Sequence, residues 1–294
     1  MSLYIYAKTG HNYGMEDLRR CAFIYKELED FDPILLVSDY RACTYASEFL
    51  NIDGATSVDV IKNVANVAVA GDSLVVCSDE LNHNSELLED MARFFKNIVV
   101  VGETIVELEN VLYINSTFVD LEMYDDIDDM EDFGDEYEED EDSMINTPVL
   151  FFGDDDYSKA LLNLTNKTQK VALLKGYYFF MGYDEEIKDH FADILDEEEY
   201  FHTIEMSNSL ITTSVYTCLE SLSCGNKPIL IKREDKEYAN LHILENYNIP
   251  IYEFEDLSMV LDDIENIIQS YPNMLNIELY DESDIDISRI KKLL

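Results

Sequence analysis

Positive charge is scarce in this sequence: 20 Lys+Arg stand against 63 Asp+Glu in 294 residues, a formal net charge of −43. That balance excludes nucleic acid as a partner, because binding there draws on Lys and Arg releasing phosphate counterions. Anionic membrane surfaces are disfavoured for the same reason. No apolar run approaches the roughly 18 residues of a membrane span. The apolar start, Met1 to Ala7, lacks the basic flank of a signal peptide, so it reads as a buried strand and no membrane insertion is expected. The five cysteines (Cys21, Cys43, Cys77, Cys218, Cys224) are odd in number, without CxxC spacing, and lie in or beside apolar runs. They read as buried thiols of a reducing cytoplasm, not as a disulfide framework or a zinc site. Motifs of the GxxxxGK[ST], HExxH and GxSxG types are missing, and His83, His190, His202 and His242 are scattered, so no metal site is expected.

What is present argues for a folded chain. Hydrophobic residues make up 47% and aromatics 12%, too much apolar mass for a disordered acidic polymer. The length suits two domains. Over residues 1–119, short apolar runs (Leu3–Ala7, Ile34–Ser38, Ser73–Cys77, Ile98–Val101, Val111–Ile114) alternate with amphipathic stretches near Glu16–Glu29, Cys43–Leu50 and Ser85–Phe95. Continuous β-rich runs indicate strands covered on both faces, as in a parallel sheet with helical crossovers. A second such unit spans 147–272. Its predicted strands are Val149–Phe152, Lys170–Leu174, Leu210–Thr213, Pro228–Ile231 and Pro250–Phe254. Its predicted helices are Tyr157–Leu164, Glu185–Leu195, Glu198–Met206, Val215–Cys224 closed by Gly225, Lys236–Asn246 and Leu257–Ile268. The tail, 273–294, is expected to cross back onto the first domain. The fold class is α/β: two Rossmann-like parallel-sheet domains facing a cleft.

Between them, residues 120–146 break the pattern. Asp120 to Asp142 holds fifteen acidic residues and no Lys or Arg. Such a run resists dense packing, so it reads as an exposed, mobile interdomain insertion. Its interspersed Met123, Ile127, Met130, Phe133 and Tyr137 leave open a segment that docks on a basic protein partner. Calcium is disfavoured, because the D-x-[DN]-x-[DN]-G spacing is missing.

The most informative stretch runs from Leu210 to Ile231. A strand ends in Thr213 and Ser214, a helix follows, and Glu220 lies two turns in. Small residues at a helix start leave N–H groups open to an anion, and an acid further along can accept hydrogen bonds from a ribose diol. The plainer alternative makes Ser214 an N-cap, Thr217 its first-turn companion and Glu220 a solvated charge.

This segment resembles the nucleotide-binding half of GT-B glycosyltransferase-like proteins. That group includes the peptidoglycan UDP-GlcNAc transferase and the UDP-sugar hydrolase of pseudaminic acid synthesis. Thr213, Ser214, Thr217, Glu220, Gly225 and Pro228 match the pattern S-G/S-x-x-T/V-x-x-E followed by G-x-P. The resemblance implies that Glu220 holds the ribose and that the small turn residues, with Gly153, lie by the pyrophosphate. Asp235 to Asn240 is similar to the D-x-Q-x-x-N-A segment, which implies donor-sugar contacts for Glu237 and Asn240. Gly153-Asp154-Asp155-Asp156 is similar to G-G-x-D, with Asp154 replacing a glycine. The first domain resembles the hydrolase more closely: Gly14, Arg20 and Cys21 fit G-x-G-H-x-x-R-C, with Glu16 in place of glycine and Asp17 in place of histidine.

The resemblance therefore implies a cytoplasmic UDP-sugar hydrolase or glycosyltransferase-like enzyme of surface-glycan or nonulosonic-acid synthesis. Asp17, or His11 three residues before the motif, would act as base, and Arg20 would bind substrate. Two plainer roles stand beside these: His11 as an ordinary loop histidine, and Arg20 as the partner of Glu16 or Asp17. An exposed Asp, with a pKa near ~4, is a poor base at neutral pH unless burial raises it. Carboxylates at Glu16 and Asp154 oppose a pyrophosphate, since two unit charges at 4 Å repel by about 4 kcal/mol at an effective dielectric of 20. The countercharges available are Lys8, Arg19, Arg20, Lys227, Lys232 and Arg233. No cofactor is implied, save that Mg²⁺ would bridge such carboxylates to a pyrophosphate. The lost histidine and glycines favour the alternative: a catalytically degenerate member acting as a binding or regulatory partner through its acidic surface.

Overall fold

The computed structural model describes residues 1–82, 84–114, 145–164, 170–238, 240–271 and 283–294. The expectations placed on Asp120 to Asp142, a mobile insertion and a docking segment for a basic protein, lie outside the described residues. The chain divides into two compact units: Met1–Phe118 together with Tyr280–Leu294, and Val119–Leu279.

Unit 1 runs β1 (Leu3–Ala7), α1 (Glu16–Glu27), β2 (Ile34–Val37), α2 (Tyr40–Phe49), β3 (Thr56–Ser57), β4 (Ser73–Cys77), α3 (Ser85–Phe94), β5 (Asn97–Val101), β6 (Val111–Ile114). Every pairing is parallel, in the order β3-β2-β1-β4-β5-β6. Tyr4, Tyr6, Leu36, Leu74, Val76 and Ile98 join one buried cluster. The residues between them, such as Ile5, Leu35, Val75 and Val99, are equally buried, so both faces of the sheet are covered. That two-sided burial is why these strands read as unbroken apolar runs. Asp39 and Asn84 cap α2 and α3, accepting from Ala42 N and Leu87 N at 3.1 Å each. The C-terminal helix Ser283–Leu293 belongs to this unit: Asn97 Nδ2 donates to Leu293 O at 2.8 Å, Lys291 pairs with Glu27 at 3.1 Å, and Ile290 is fully buried.

Unit 2 runs β7 (Val149–Phe151), β8 (Ala172–Leu174), α4 (Tyr183–Ile187), β9 (Ile194–Leu195), α5 (Tyr200–Met206), β10 (Ser209–Thr212), α6 (Val215–Ser223), β11 (Lys227–Lys232), α7 (Leu241–Asn246), β12 (Ile251–Glu253), α8 (Leu257–Ser270). Its sheet is also wholly parallel, in the order β12-β11-β10-β7-β8-β9. Counted from each unit's first strand, the two orders are the same. The switch points, where consecutive connections leave in opposite directions, are β1/β4 and β7/β10. Open parallel sheets bind ligands at such points, outside the carboxyl ends of the strands. Helix α6 ends as its glycine implies: Gly225, at φ +81°, donates to Leu222 O at 3.0 Å.

Three predicted helices differ. The stretch Glu185–Leu195 is instead the short α4, a turn and strand β9, because Leu173 N bonds Asp193 O and Lys175 N bonds Leu195 O, which extends the sheet beyond β8. Tyr157–Leu164 holds only a 3-10 turn, Ala160–Asn163, whose first amides are taken by the Asp156 carboxylate at 2.8 and 3.0 Å. Helix α7 begins at Leu241, not Lys236, because Asp235 and Lys236 are engaged elsewhere and Asn240 is left-handed at φ +63°. Among the described residues, no helix is long and apolar enough to cross a membrane.

Candidate functional site

In unit 1, the loop after β1 is folded tightly by Gly10 O, which accepts from Tyr13 N at 3.0 Å and Gly14 N at 2.8 Å. His11 is half-buried within that loop, and α1 starts two residues past Gly14. Asp17 therefore stands in the first turn of α1, with Arg20 one turn on at 3.4 Å. This is the helical salt bridge anticipated as the plainer role of Arg20. Burial pushes the Asp17 carboxyl up to about 7; Arg20 opposes the shift, and the Glu16 and Asp79 charges add to it. The side chain keeps 24% of its surface in contact with solvent, so a proton can reach it although the group lies deep among protein atoms.

Lys8, just past the end of β1, is committed. Its Nζ bonds Glu80 at 3.2 Å and Asp59 O at 2.9 Å, and lies 4.8 Å from the Tyr13 ring centre. Glu80 also accepts from Tyr6 OH at 2.7 Å and Ile61 N at 3.2 Å.

In unit 2, the turn after β7 and the turn after β10 lie side by side at the switch point. Thr213 Oγ1 donates to Phe152 O at 2.9 Å, and Gly153 takes φ +92°. A Cβ on Gly153 would stand 3.2 Å from Thr213 Oγ1. Close approach from the next strand end is tighter still: a Cβ on Gly176 would collide with Gly153 O and the Asp154 backbone. Ser214 caps α6, its Oγ accepting from Thr217 N at 3.0 Å. One turn further in, Thr217 and Glu220 are linked through a residue the sequence did not single out. Tyr200 OH, from α5, donates to Glu220 Oε2 at 2.6 Å and lies 2.9 Å from Thr217 Oγ1. Glu220 is 2% exposed, so it is not the solvated charge of the plainer alternative.

Arg233 is not an available countercharge. Its side chain is 2% exposed and is spent on its own chain: Asp155, Asp235 and the carbonyls of Phe152 and Asp155. Burial works against its charge, but Asp235 and Asp155 outweigh this and hold the guanidinium above its ordinary pKa. Lys236 pairs with Asp155 at 3.1 Å, and Lys232 with Glu253. Glu237 is exposed and Asn240 half-buried, both in the irregular stretch before α7. The signals for Arg233 and Tyr200 are tertiary: one reaches back 78 residues to Asp155 and the other forward 20 to Glu220. Among the described residues, no group of three or more His, Cys, Asp or Glu is placed to hold a metal ion.

No family model matches the sequence, and no curated protein matches it. Solved structures do match in three dimensions. UDP-GlcNAc 2-epimerase from Neisseria meningitidis, bound to UDP-GlcNAc, superposes with a TM-score of 0.65 at 8% identity, over 99% of this chain and 100% of that one. A Listeria monocytogenes protein assigned as a UDP-N-acetylglucosamine 2-epimerase gives 0.59 at 9% identity, over 99% and 95%. The S. aureus MnaA–UDP complex gives 0.56 at 9% identity, over 93% and 91%. At these identities the likeness is one of fold, and the fold is the GT-B-type pair of α/β domains.

Proposed function

We propose that this chain is a nucleotide-sugar enzyme whose second unit holds the nucleotide of a UDP-sugar. In this reading Glu220 takes the ribose, while Gly153, Thr213, Ser214 and Thr217 surround the phosphates. The observation that carries it is the meeting of the Gly153 and Thr213 turns at the β7/β10 switch point, at the head of α6. A parallel sheet offers its crevice there. The fold neighbours support the substrate class, since two of them were solved with UDP-GlcNAc or UDP. Glu237 and Asn240 would reach the sugar, and Arg20 the substrate's charge.

Among reactions, hydrolysis fits Asp17 best. Its carboxyl takes a proton from water as the water oxygen bonds the anomeric carbon; the bond to UDP breaks, and its electron pair leaves on the diphosphate. An ordinary carboxylate is a poor base at neutral pH, but one raised to about 7 is half deprotonated there. His11 is the second candidate for the proton. Transfer to a sugar hydroxyl would use the same base.

Thermal melting with UDP and UDP-GlcNAc, with and without Mg²⁺, tests the binding. A ligand at 100 times its Kd stabilises by about 2.7 kcal/mol, a shift of several degrees. Glu220→Ala should abolish the shift, and absence of any shift in the wild type would retire this reading. Release of UDP and free sugar, with kcat/KM rising as pH passes 7, would establish the hydrolase.

One observation favours the second reading, a degenerate member that binds a partner through its acidic surface. Lys8, Arg20, Lys232 and Arg233 are all paired within the chain, so four of the six countercharges are already engaged by carboxylates of their own chain. A basic protein bound through Asp120 to Asp142, with no nucleotide affinity, would establish it.

A further inference from the structure

The loop after β7 is held at every residue from Phe152 to Asp155. Phe152 O accepts from Thr213 Oγ1 and from Arg233 Nη1 at 3.2 Å. Gly153 is packed against Gly176, and Asp154 O accepts from Tyr178 N at 2.8 Å. Asp155 O accepts from Arg233 Nη1 at 2.6 Å, and its carboxylate bonds Arg233 Nη2 at 3.3 Å and Lys236 at 3.1 Å. Arg233 thus grips the loop on both sides of Gly153 and Asp154. Its outer edge is fixed in turn by Asp235, through Nε at 2.8 Å and Nη2 at 2.6 Å. Phe152 lies beneath the guanidinium, ring centre to Cζ 4.7 Å. A guanidinium has five N–H donors, and these contacts employ all five.

We infer that Arg233 is a positioning residue for the phosphate subsite: it sets the shape of the Gly153–Asp155 loop and offers a phosphate no hydrogen bond of its own. The inference rests on the nucleotide-binding reading above. Its physical ground is the planar fork. A lysine would keep the charge, but one ammonium cannot span Phe152 O, Asp155 O and the two carboxylates. The loop would then lose its brace at the residues nearest the phosphates, while the base and ribose contacts made elsewhere in unit 2 would stay.

The test compares affinities for UDP and for uridine, which lacks the phosphates, in the full chain. Calorimetry suits the first and NMR titration the second. Arg233→Lys should weaken UDP about tenfold, the worth of one or two hydrogen bonds, and leave uridine within about twofold. Asp235→Asn loosens only the outer edge of the brace and should weaken UDP about threefold; its half-exposed side chain makes it the variant to rely on if Arg233→Lys does not fold. Equal weakening of UDP and uridine would make Arg233 merely structural and overturn the inference, as would unchanged UDP affinity in folded variants. If the wild-type chain binds neither compound, the nucleotide reading itself falls and takes this inference with it; binding by the wild type with the wrong pattern in the variants sinks the inference alone.

Discussion

The two units share one strand order and differ in how charge is placed at the switch point. In unit 1 the fourth strand's successor, Glu80, reaches back to Lys8 after the first strand, and the pair is surrounded by Tyr6, Ile61 and Asp59. In unit 2 the residue after the fifth strand, Arg233, reaches to Asp155 after the first. Both are cation–carboxylate pairs largely out of water, yet they leave different things open. Unit 1 is left with Asp17, a carboxylate whose proton is held near neutrality. Unit 2 is left with the Gly153 and Thr213 turns at the head of α6. Topology decides where a parallel sheet can bind; the residues just past the strand ends decide whether that place suits a base or an anion.

The comparison is broken most sharply at Gly176. Gly176→Ala would push a methyl into Gly153 O and the Asp154 backbone, rigid atoms with no side chain to move aside. The expected cost is about 3 kcal/mol, seen as a melting point lowered by roughly 10 °C. A loss of only a degree or two would mean that the β7 loop is not the tightly held element described for unit 2.

Asp17 sharpens the contrast from the other side. Its folded pKa, about 7, lies above the unfolded value of 3.8. The folded state therefore binds the extra proton between those values, and stability falls as pH rises through that window. Below pH 4 the group costs nothing; above 7 the full cost is present. Asp17→Asn should leave the melting temperature unchanged at pH 4 and raise stability at pH 8 by about 2–4 kcal/mol, toward the lower figure because solvent reaches part of the side chain. Chemical denaturation at the two pH values measures the difference. Equal effects at both would show that the carboxyl is ordinary and unsuited to act as a base.

Much of the framework is legible from local pattern. Strands such as Ser73–Cys77 and Asn97–Val101 are apolar at almost every position because both faces are covered. Ser214 and Gly225 mark the two ends of α6 by chemistry that acts within a few residues. The two-residue edge strands Thr56–Ser57 and Ile194–Leu195 carry too few side chains to show a period, and the second lies in a run whose spacing also suits a helix. The candidate site was legible where it is continuous in sequence, from Thr213 to Glu220. The partners of its charged groups were not, because Arg233 meets Asp155, and Tyr200 meets Glu220, only once separate elements of the fold are packed together.

Tyr200 gives the finest comparison. Glu80 in unit 1 is bonded to a cation, whereas Glu220 in unit 2 is bonded to a neutral phenol at 2.6 Å, both partners nearly free of water. A phenol offers less to a carboxylate than an ammonium does, yet removing it still leaves a buried acceptor short of a donor. Tyr200→Phe keeps the ring against Phe151, 5.1 Å between centres, and deletes only the hydroxyl. The expected loss is about 1.5 kcal/mol in urea unfolding without ligand. A double-mutant cycle with Glu220→Gln isolates the pair, with a coupling of about 1 kcal/mol expected. Coupling near zero would place the stabilisation in Thr217 alone. It would also show that Glu220 does not depend on the Tyr200 hydroxyl for its orientation.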